Sequence, residues 1–142
     1  MTNTFRTIAW WLTLLTGLTL VFIGARFFIA PDLAETAFGI NVNTGGDYSF
    51  HYIKAGRDLF SGIIIIILLL MKEYRALGML LLLAPIVPTV DMSIVMSQPH
   101  YKIAFIYPHL TAIILSIVLG IAYLWNAKTI GRRSSEQWMH KD

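Results

Sequence analysis

Four stretches of mostly apolar residues follow one another along the chain, separated by short polar breaks. They cover residues 8–30, 48–71, 76–96 and 103–125. Crossing a bilayer takes about 20 apolar residues in helical form, so the pattern predicts an all-α, membrane-embedded four-helix bundle with short loops. Arg6 precedes the first stretch and Trp10 and Trp11 stand at its start, where interfacial anchors belong. The stretch exceeds the apolar core of a cleaved leader, and bulky Phe28 occupies the place of a small residue before Ala30-Pro31. It therefore reads as a retained helix.

The breaks define the connections. Asp32-Leu33-Ala34-Glu35 has the form of a capping box, which predicts one short extracytoplasmic helix between the first two spans, ended by Gly39. The residues up to Asp47 are turn formers, and Asp47 or Ser49 can cap the second long helix. Lys72-Glu73-Tyr74-Arg75 suits only a tight turn between antiparallel neighbours. Pro85 and Pro88 should kink the third span and free carbonyls for another partner. Residues 128–142 form a polar tail.

Composition agrees with this pattern. Hydrophobic residues make up 56% and charged residues 13%, where a soluble domain carries about a quarter charged; mean hydropathy is +0.66. Four spans use nearly all of the 142 residues, leaving a single transmembrane domain. With no cysteine, thiol catalysis and disulfides are excluded. The net charge of +3 is scattered at helix ends and forms no stripe for nucleic acid. It orients the chain instead. Arg6, Lys72, Arg75, Lys128, Arg132, Arg133 and Lys141 lie on the side of the termini, against Lys102 and the embedded Arg26, Lys54 and Arg57 on the other. The positive-inside rule then places both termini in the cytoplasm of a multi-pass inner-membrane protein.

The embedded polar residues carry the candidate chemistry, because intramembrane charges are costly and face a bundle interior. At 1.5 Å per residue, Arg26 lies about 27 Å above the cytoplasmic helix ends, Arg57 and Asp58 about 21 Å, and Asp91 and His109 about 24 Å. All four spans thus contribute to one layer. On the second span His51, Lys54, Ala55, Asp58, Ser61 and Gly62 share one face, flanked by Tyr52 and Arg57. Asp91 follows the Pro85–Pro88 kink, whose freed backbone could add acceptors, and the whole resembles a pocket floor. The histidines lack metal-ligand spacing. No phosphate loop, nucleophile elbow or haem-type histidine pair is present, so neither metal nor cofactor is expected.

Gly24-Ala25-Arg26-Phe27 with Pro31, Ala37-Phe38-Gly39, Tyr52, Arg57-Asp58 and Gly62, and Pro88 with Asp91 together resemble a family of small bacterial four-helix membrane proteins of uncharacterised function, akin to the DoxX-like group. The likeness covers about the first two thirds of the chain. It implies a four-helix membrane fold, and implies that the motif residues and the charged layer are one feature.

Three functions compete. In the first, the layer binds a small amphiphilic molecule from the outer leaflet. Arg26, Arg57, Tyr52, His51 and His109 would hold it, and Asp91 or Asp58 would exchange a proton, as an isomerase on a lipophilic substrate requires. In the second, Arg26 and Arg57 pair with Asp58 and Asp91, and the layer only locks a non-enzymatic accessory or assembly protein. A proton-coupled carrier is the third; four spans would require a homo-oligomer, and no inverted repeat supports it.

Overall fold

The computed structural model describes residues 3–42 and 44–139, with side chains as far as residue 127. Among these residues every regular element is helical. Helix α1 (Asn3–Ile29) turns at Ala30 into the short α2 (Pro31–Phe38), and α3 (Ser49–Leu70) follows after a loop. Next come α4 (Tyr74–Leu83) and α5 (Ile86–Met96), then a 3₁₀ turn at Ile103–Phe105 that leads into α6 (Ile106–Met139). The polar tail continues α6 as helix to Met139.

Asn3–Ile29, Tyr74–Met96 and Ile103–Ala127 are long and apolar enough to cross a membrane, which suggests a membrane protein. The fourth expected span, α3, has the length at 22 residues, but Lys54, Arg57 and Asp58 fall within every 18-residue stretch of it. Its charges, not its length, set it apart.

The helices pack as two antiparallel hairpins, each closed by glycines. In the first, Gly17 of α1 faces Gly62 of α3; a Cβ on Gly62 would stand 2.6 Å from the Gly17 carbonyl oxygen. Two turns further out, a Cβ on Gly24 would lie 2.8 Å from both the Ala55 oxygen and the Leu59 nitrogen. In the second hairpin Gly78 of α4 meets Gly120 of α6, where a Cβ on either would reach the other's carbonyl oxygen at 3.1 and 3.0 Å. Between apolar helices in lipid, such close approach supplies the attraction that hydrophobicity cannot.

Larger side chains join the hairpins. Ala9, Ile65, Leu69, Leu77, Leu81, Leu119 and Tyr123 form one buried cluster. At its edge the Tyr123 hydroxyl lies 3.0 Å from Thr13 Oγ1 and donates to the Ala9 carbonyl at 3.3 Å, while its ring stacks on Tyr74 at 5.5 Å. A second cluster, Phe27, Ala34 and Ala55 with Ile23 and Phe38, fills the opposite end beneath α2.

Two local expectations need correction. Pro31 occupies the first turn of α2 with Ala30 as its N-cap, so Asp32 lies inside the helix and no capping box forms. Both acidic side chains are thereby released for contacts with α3. The prolines do interrupt the third span between Leu83 and Ile86, removing the donors that Leu81 O and Ala84 O would otherwise receive. Ala84 O accepts from Val87 N at 3.1 Å instead, so it is satisfied locally and adds no acceptor beside Asp91. Pro85 O keeps its helical bond from Thr89 N at 3.0 Å and also takes the Thr89 hydroxyl at 2.7 Å. Gly39 ends α2 as expected, at φ 94° with its N–H bonded to Glu35 O and Thr36 O. Asp47 caps α3 from just outside, accepting from Ser49 N at 2.9 Å.

Candidate functional site

The buried face of α3 is His51, Ala55, Asp58, Gly62, Ile65 and Leu69, spaced three and four residues apart. Ala55 and Gly62 are small because α1 lies against them. The polar members of this face, together with Lys54 and Arg57 at its flanks, build the site.

Four of them close a ring of ion pairs. Lys54 Nζ lies 3.0 Å from Asp58 Oδ2 and 3.0 Å from Asp91 Oδ2. Arg57 Nε donates to Asp58 Oδ1 at 3.0 Å and its Nη2 to Asp91 Oδ2 at 2.9 Å. Each cation serves both carboxylates and each carboxylate both cations, so the charge sums to zero. Asp58 and Asp91 are buried, and at 16% exposure the Lys54 side chain is nearly so. Its ammonium also stands 4.4 Å from the Phe38 ring centroid and 5.2 Å from that of Phe27, a cation–π environment on the sides the carboxylates leave open. The ring joins α3 to α5, and so one hairpin to the other.

Above the ring, α2 is fastened to α3 by two contacts with the same offset of 16 residues. The Tyr48 hydroxyl donates to the Asp32 carboxylate at 2.7 Å. One turn on, His51 Nε2 lies 2.6 Å from Glu35 Oε2, with both residues buried. The other Glu35 oxygen accepts from the Val42 amide. His51 Nδ1 is buried with no hydrogen-bond partner, although buried polar atoms are nearly always served.

The expected residues therefore separate into groups. Arg57 and Asp58 of α3 come together with Asp91 of α5, and His51 lies two turns before Asp58 on α3. Arg26 does not join them: it forms no salt bridge among the described residues, donates weakly to Leu33 O at 3.5 Å and lies 5.9 Å from the Phe22 ring. The expected pairing of Arg26 with Asp58 or Asp91 is thus replaced by Lys54. Tyr52 stacks on Phe28 at 5.8 Å and is exposed. His109 is half-buried and meets the edge of Phe38 at 4.9 Å.

Sequence reasoning missed Glu35, Phe38 and the central place of Lys54. The i, i+4 spacing of Lys54 and Asp58 is a signal for the last; Pro31, by fixing where α2 starts, is one for Glu35. Among the described residues no three histidine or acidic groups are placed to hold a metal ion. What the arrangement offers is acid–base chemistry at a buried histidine–carboxylate pair, above a charge-neutral floor.

Residues 17–128 match the family model described as Domain of unknown function (DUF4267), and the chain belongs to that family. No curated protein and no solved structure matches it.

Proposed function

We propose that the chain is a four-span protein of the inner membrane, with both termini cytoplasmic, that binds a small amphiphilic molecule beneath α2 in the outer half of the bundle. Packing supports a fourth span. If α1 crosses the membrane, α3 must lie in it too, because the two are in backbone contact from Gly17–Gly62 to Gly24–Ala55. The charges of α3 are then the tolerated kind, turned inward and paired. The motif likeness to DoxX-like proteins is part of this reading.

The observation that carries the ligand site is His51 Nδ1, a buried polar atom that folding leaves unserved. A ligand hydroxyl or carbonyl would serve it, with the Tyr48 and Phe27 rings 5.5 and 6.0 Å from the imidazole. Because Asp58 and Asp91 each hold two cations, the proton-exchanging pair is Glu35–His51, and the aspartates hold the floor. Such a pair suits isomerisation of a lipophilic substrate. Native mass spectrometry of gently extracted protein tests the site. Wild type should carry one defined adduct that His51→Phe loses while still melting cooperatively; an adduct retained in that variant would refute it.

One observation favours a second reading, in which the layer is purely structural: the ion ring is closed and charge-neutral without any ligand. On that reading wild type carries no defined adduct, and neutralising one partner costs stability alone.

A further inference from the structure

Arg26 is an embedded cation that, among the described residues, the ion ring does not include. Its residues one turn away on α1, Phe22 and Ile29, are 60% and 83% exposed, and Leu33 on α2 is 66% exposed. The packed face of α1 is marked by Ala9, Thr13, Gly17, Gly24 and Phe27; Arg26 is turned away from it, half-buried beside these exposed apolar side chains. It stands three residues before the end of α1, about 4.5 Å along the axis, which is near one end of the span if α1 crosses the membrane. An arginine there is costly unless its donors reach a polar partner, and 3.5 Å to Leu33 O is a weak one.

We propose that Arg26 is the head-group site for a glycerophospholipid. The lipid phosphate takes the forked guanidinium, which matches its oxygens bidentately, and an acyl chain lies along Phe22, Ile29 and Leu33. The elbow at Ala30 brings α2 back so that Leu33 walls one side of this position and Phe22 the other. The site is separate from the one beneath α2 and stands whether or not that site takes a ligand.

The test uses the full chain, delipidated in detergent and titrated with dioleoyl phosphatidylglycerol. Diolein, with the chains and no phosphate, and inorganic phosphate, with no chains, serve as controls; native mass spectrometry and thermal melting give the readouts. Wild type should retain one phospholipid saturably and melt higher with it, while neither control binds saturably. Arg26→Gln should weaken that binding on the order of ten-fold or more, and Arg26→Lys by less, since a point charge replaces the fork. Equal affinity in Arg26→Gln overturns the proposal. Inorganic phosphate binding as tightly as the lipid overturns the lipid as the source of the phosphate. If Arg26→Gln fails to fold, Arg26→Lys decides: weakened binding supports the site, and unchanged affinity overturns it.

Discussion

Replacing Asp91 by Asn removes one negative charge from a ring that sums to zero and leaves Lys54 and Arg57 to share Asp58. Two unit charges 3.0 Å apart, the Lys54–Asp91 distance, attract by about 5–6 kcal/mol at an effective dielectric of about 20. Desolvation offsets much of this, and the Arg57 side chain is 36% exposed, so its share is discounted for screening. Breaking a buried pair on one side costs about 3–5 kcal/mol. Asn keeps a carbonyl acceptor at the same place, which puts the expected loss near the lower end, about 3 kcal/mol. Adding Lys54→Met restores neutrality, leaving Arg57 with Asp58. The double variant should then be more stable than the sum of the single losses implies, by about 1–3 kcal/mol. Reversible unfolding in mixed micelles, followed by helicity, measures all three variants. An Asp91→Asn loss under about 1 kcal/mol, or strictly additive single effects, would refute a closed, charge-balanced ring.

Other outcomes follow from the same contacts. Gly62→Ala forces its Cβ to 2.6 Å from the Gly17 oxygen and should cost about 1–3 kcal/mol, whereas Gly56→Ala, with nothing within 4 Å, should be neutral or gain up to about 1 kcal/mol; the same unfolding assay compares them. Tyr123→Phe deletes the hydroxyl between Thr13 and Ala9 and should cost about 0.5–1.5 kcal/mol, read as a lower melting temperature. The Ser49 hydroxyl and amide hold the Asp47 carboxyl below its ordinary value of 3.8. A depressed carboxylate contributes above its unfolded pKa and loses that contribution as pH falls through the folded one. Hydrogen-exchange protection of the Ser49 amide should therefore drop as the pH is taken below 3.8, and constant protection would count against the cap.

The helical elements were legible because apolar length and proline or glycine punctuation act locally: Gly39, the turn after Leu70 and the interruption at Pro85 all fall where the pattern puts them. That Arg57, Asp58 and Asp91 share one height along their helices was legible too, since rise per residue is nearly constant. Azimuth was not. Arg26 was assigned to the layer from its height, yet it stands two residues past Gly24, about 200° around the helix from that packed position, and so faces outward. Lys54 has less obvious height but the right phase, one turn before Asp58. The acidic residues of α2 were misread for a different reason. Asp-x-x-Glu fits a capping box in isolation, and only the register fixed by Pro31 turns those side chains toward Tyr48 and His51.

The two hairpins constrain how anything could reach His51. Within each hairpin, helices touch backbone to backbone at glycines, and separating them would forfeit the contacts that hold them together in lipid. Between hairpins, the ion ring fastens α3 to α5 near α2 and the Thr13–Tyr123 contact fastens α1 to α6 at the opposite end. Helix α2 belongs to the first hairpin, tied to α3 by Asp32–Tyr48 and Glu35–His51. Toward the second hairpin it presents the Phe38 edge to His109 and Gly39 to the Phe105 ring, and neither contact is a hydrogen bond or an ion pair. A molecule moving toward His51 Nδ1 would lose least by parting α2 from the start of α6. On this path Phe38 leaves the face of Lys54 while all four ion pairs stay made.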